Sequence, residues 1–103
     1  MNKEVKESLI ILLDNWEYMQ MSDLESVEID AYRFGDAYYN FLDQIRSWTK
    51  TMDNKPDLID ALQIPEVSEI LEQIPGPLRL NLEIELDYML SGIERIDAAS
   101  YYG

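Results

Sequence analysis

The sequence predicts an all-α single domain, an antiparallel four-helix bundle-like fold with a long central second helix and a broken third. Three observations carry that prediction. Leu24, Val27, Ala31, Phe34, Tyr38, Phe41, Ile45, Trp48 and Met52 follow one another at alternating spacings of three and four, the period of a single buried stripe on an α-helix. Prolines fall only at 56, 65, 75 and 77, where they punctuate the chain into helix-length segments. The one run with strand alternation, Leu78, Leu80, Leu82, Ile84 and Leu86, has no second strand to pair with, and a lone strand leaves its backbone unsatisfied. Its leucines, glutamates and arginine also favour helix over strand.

Taken in order, the first helix is expected over 3–21 with Asn2 as N-cap. Val5, Leu9, Leu12, Trp16 and Met19 form its apolar face, and Ile10, Ile11 and Leu13 widen it, which predicts contact with more than one neighbour. Ser22 and Glu25 have capping-box spacing, so the second helix is expected over 23–52 after a short connection that makes the first pair antiparallel. Gly35 lies inside that helix and costs about 1 kcal/mol relative to alanine. A close packing partner is expected to offset it. Asp53-Asn54-Lys55-Pro56 ends the helix. Short helices are expected over 56–63 and 65–73, each with proline in its first turn. Pro75-Gly76-Pro77 is then a break, followed by a last helix over 78–99 carrying Leu78, Leu82, Leu86, Met89, Ile93 and Ile96 on its buried face. Ser100-Tyr101-Tyr102-Gly103 is left as a tail.

The residue inventory removes several chemistries. Cysteine and histidine are both absent, which excludes disulfides, thiolate catalysis, imidazole triads and the common zinc sites. The acids of the 53–60 region carry Lys55 and Pro56 where a calcium loop needs ligands and spacing. Paired carboxylates at Glu66 and Glu69, Glu83 and Asp87, and Glu94 and Asp97 suit solvated helix faces, since acids are mostly exposed. No phosphate loop or nucleophile elbow is present. No catalytic residue, cofactor or metal site is therefore expected. The short apolar run 9–13 is interrupted by Asp14, too short for a signal core or a spanning helix, and a soluble cytoplasmic protein is expected.

Charge is the strongest compositional signal. Twenty-one acids against eight bases give a net charge of −13, spread over every helix. Such a charge repels nucleic acid and anionic membrane and speeds encounter with basic proteins. The expected partner is accordingly a basic protein, with no direct nucleic acid and no membrane. On the second helix Glu28, Tyr32, Asp36, Tyr39 and Asp43 fall within about 80° of one another, away from the apolar stripe. Acids interleaved with tyrosines suit partner contact, because tyrosine offers apolar area and a hydroxyl at low rotamer cost. Packing of Tyr32 and Tyr39 at the bundle edge is the alternative. Glu83 and Asp87 are expected to sit on an outward strip without an aromatic ring.

Two function classes follow. In the first, the chain is a non-enzymatic inhibitor that blocks the basic site of a nuclease toxin or DNA-binding protein, either as an immunity-type protein or as a mimic of the phosphate backbone. In the second, it is an adaptor or secretion-chaperone-like module whose amphipathic helices, bearing Met19, Met21, Met52 and Met89, present an apolar groove. Raised salt weakens the first kind of binding and spares the second.

Overall fold

The structure is a computed structural model that describes residues 2–92. The expected turns from Ile93 to Ala99, the Glu94 and Asp97 pair and the Tyr101-Tyr102 tail lie outside the described residues. Among those described, the architecture is all-α: α1 Lys3–Gln20, α2 Val27–Lys50, α3 Leu58–Ala61, α4 Pro65–Gln73 and α5 Gly76–Leu90.

Helix α1 starts where Asn2 permits it: the Asn2 side chain accepts from the Val5 amide at 3.0 Å. Its buried face is Val5, Ser8, Leu9 and Leu12. Ser8 is tolerated there because its hydroxyl donates to the Val5 carbonyl at 2.9 Å. The expected widening of this face does not occur. Ile10 and Ile11 are exposed and only Leu13 touches the core, because α1 packs on α2 and residues 100° and 200° around from Leu9 have nothing to meet.

Residues 21–26 turn the chain back and lay α2 beside α1, with the Trp16 ring 5.3 Å from Phe34. The middle of the α2 stripe forms the core as its spacing predicts. Phe41 is fully buried, and Tyr38, Leu42 and Ile45 are nearly so. The start of the stripe departs from expectation: Val27 and Ala31 are exposed and Leu24 is 96% exposed. Helix α2 opens at Val27, not 23, because the Asp23 carboxylate takes the amides of Glu25 and Ser26 and spends residues 24–26 in a turn. The capping box does not form. The Ser22 hydroxyl instead donates its one proton to the Asp30 carboxylate, with the Tyr18 carbonyl as a second acceptor within reach at 3.2 Å.

The expected helix over 56–63 shrinks to the single turn of α3, capped by the Asp57 carboxylate on the Asp60 amide at 2.9 Å. Pro65 opens α4, and both Ile64 and Ile74 are extended, as residues that precede proline must be. Helix α5 starts earlier than expected: Gly76 and Pro77 are its first residues, since a proline in the first turn forfeits no hydrogen bond. It stops at Leu90 because Gly92, at φ +73°, takes the left-handed conformation that closes a helix. Leu82, Leu86 and Met89 are buried and Leu78 is half-buried. Helix α5 lies on α2, and α3 lies on α5. Tyr38 of α2 donates to the Asn81 side chain of α5 at 2.5 Å, which fixes where the two helices meet.

Candidate partner-binding face

Glu28, Tyr32, Asp36, Tyr39 and Asp43 are all exposed on α2. The reason is local. The stripe through Phe34, Tyr38 and Phe41 points at α1 and α5, and residues displaced from it by more than a quarter-turn face water. Tyr32 is 79% exposed and Tyr39 58%, so neither ring packs at the edge of the helices. Tyr39 leans on a buried neighbour, its ring centroid 6.4 Å from that of Tyr38 at a tilt of 44°. Tyr38 is itself tied to Asn81, so the ring beneath Tyr39 is held in place.

Charge along the strip is uneven. Arg46 donates to Asp43 at 2.8 Å, which partly neutralises that end. An exposed pair of this kind is worth about 0–1 kcal/mol and reopens readily for a better partner.

The connection between α1 and α2 and the start of α2 carry exposed apolar residues, of which Leu24 and Val27 lie on the stripe that spacing predicts to be buried. Met21 and Leu24 project into water, with Val27 and Ile29 at the start of α2. The turn that carries them is tied down. Asp23 accepts from the Glu25 amide at 3.0 Å, the Ser26 amide at 3.0 Å and the Ser26 hydroxyl at 3.1 Å. The Ser26 amide, then the Ser26 hydroxyl and the Glu25 amide, hold the Asp23 carboxyl below its ordinary value. The signal was in the sequence. Asp23 with Ser26 competes with Ser22 for the same orphan amides, and a short carboxylate makes the tighter turn.

Helix α5 also differs from expectation. Leu80, Ile84 and Tyr88 are exposed one turn apart, so Glu83 and Asp87 have apolar neighbours, an aromatic ring among them, and are not a bare acidic surface. Between α2, α4 and α5 lies a gap of about 10 Å³ lined by Ile45, Trp48, Val67, Ile70, Leu82 and Leu86. Ligand sites run to hundreds of Å³ and carry polar groups; this gap is a packing defect. Among the described residues no three acids converge as metal ligands, and no helix is long and apolar enough to cross a membrane. No family model, curated protein or solved structure matches the chain.

Proposed function

We propose that this chain is a non-enzymatic acidic binding protein that inhibits a nucleic-acid-handling protein by covering its basic site, in the manner of an immunity protein or a mimic of the phosphate backbone. The observation that carries this reading is the α2 strip. Glu28, Asp36 and Asp43 alternate with two tyrosines that stand in water, on a molecule of net charge −13. The strip lies along one helix, α2, which packs on α1 and α5. Carboxylates spaced along it present a row of negative charge to a basic groove, and the tyrosines supply the apolar contact that makes a steered encounter last.

The test begins with proteins captured from the source cell's lysate at low salt and released at high salt. Purified partner, duplex DNA and this chain are then combined. The reading requires that DNA and this chain exclude each other from the partner. Tyr32→Ala or Tyr39→Ala should cost about 2 kcal/mol of affinity, mostly as faster dissociation. Asp36→Asn should slow association and flatten its salt dependence. A ternary complex of partner, DNA and this chain would remove the reading. The adaptor reading draws on the exposed Leu80, Ile84 and Tyr88 of α5, and binding indifferent to salt would favour it.

A further inference from the structure

Along α2 the stripe of Phe34, Tyr38 and Phe41 is turned toward the core, where α1 and α5 both lie on α2 and Tyr38 bonds to Asn81 of α5. Two turns earlier the same stripe runs on through Ala31 and Val27, and there both are exposed. These residues present to water what the later turns present to α5. Leu24, in the turn that leads into this face, is 96% exposed, and the Asp23 carboxylate locks that turn with three hydrogen bonds. A leucine carried in water by a preorganised turn has little backbone entropy left to lose on docking. From Glu7 to Tyr32 the chain carries Glu7, Asp14, Glu17, Asp23, Glu25, Glu28 and Asp30 and no base at all.

We infer that the open stretch of the stripe formed by Leu24, Val27 and Ala31 is a docking site for one amphipathic basic helix of a partner protein. The occupant's apolar face lies on Val27 and Ala31 as α5 lies further along, with Leu24 as the end stop. Its lysines and arginines meet the acids of the α1–α2 turn. A second copy of this chain is disfavoured by the same charge, because two base-free acidic faces repel. The inference rests on the reading of a basic protein partner. It adds a second face, about a third of a turn around α2 from Tyr32 and Tyr39.

The test uses the full chain, isotopically labelled, and a synthetic helical peptide of leucine and lysine about 14 residues long, which spans about 20 Å. A control peptide replaces every leucine with serine at equal charge. The leucine peptide should shift the resonances of Leu24, Val27, Ala31 and Phe34 and bind at least about tenfold tighter than the serine peptide. Leu24→Ser should weaken binding by about tenfold, and Val27→Ser should do so as well. Both side chains are exposed, so the fold should survive, as an unchanged helical spectrum would verify. Ile59→Ser, on the exposed side of α3, should leave peptide affinity unchanged. Equal binding of the two peptides, or none at millimolar concentration, would overturn the inference, as would sedimentation as a dimer that Leu24→Ser dissociates. Shifts confined to Tyr32, Asp36 and Tyr39 would overturn it too while leaving the proposed function standing. Loss of DNA competition at the partner would instead remove the proposed function.

Discussion

Gly35 has no neighbour within 4 Å of where a Cβ would sit. The expected packing reason for a glycine in the middle of α2 is therefore absent, and its helix penalty stands uncompensated. Gly35→Ala should stabilise the protein by about 0.5–1 kcal/mol, read as a raised denaturation midpoint at unchanged slope. A loss of stability would mean that α2 uses the glycine to bend. Two aromatics on the same stripe make the complementary case. Phe41 is fully buried, while Trp48 is half-buried beside the gap between α2, α4 and α5. Phe41→Ala should cost about 3–5 kcal/mol and Trp48→Ala clearly less, because part of the indole already faces water and the gap beside it has little packing to lose. Urea titrations of both variants decide it, and equal costs would place Trp48 in the core after all. Spacing put both residues on the right face; how deeply each is covered depends on helices far away in sequence, which spacing does not encode.

Element boundaries were legible wherever one side chain had no competitor. Asn2 and Pro65 set the starts of α1 and α4 where they were expected. Competition hid the others. Ser22 and Asp23 both bid for the amides that begin α2, and the carboxylate won. Gly92 closed α5 even though the apolar spacing runs on past it. The Asp23 turn is open to a pH test. Its carboxyl is held below its ordinary value by bonds that only the folded turn provides, so the charged form stabilises the turn. That contribution is fully present above about pH 4 and is lost as pH falls through the lowered value. The Glu25 and Ser26 amide resonances should therefore move together with a midpoint below the ordinary aspartate range, and Asp23→Asn should abolish the movement. A midpoint at or above that range would mean that the three hydrogen bonds do not hold the turn in solution.

On the scale of the whole molecule, the same charge acts inside the protein and between it and a partner, with opposite signs. The all-α class was readable because periodicity and proline placement are local. That the start of the α2 stripe stays exposed was not, because cover there depends on helices distant in sequence. Net charge was readable outright, and it sets a global prediction. The ion pairs between described residues are Lys3 with Glu7 at 3.6 Å and Arg46 with Asp43 at 2.8 Å, both between near neighbours on one helix. Such pairs contribute a few tenths of a kcal/mol. They do little against the mutual repulsion of a chain at −13. Salt screens both, but the repulsion is summed over many more pairs. Raising salt from about 20 to about 150 mM should accordingly raise the thermal midpoint by several degrees, on the order of 1 kcal/mol for a domain of this size. Over the same range, affinity for a basic partner should fall. The two trends are measured on one protein, by thermal unfolding followed in the far ultraviolet and by binding to the captured partner. A midpoint that falls with salt would mean that specific ion pairs outweigh net repulsion. The acidity would then be a stabilising device of the fold, and its use in steering a partner would lose its physical basis.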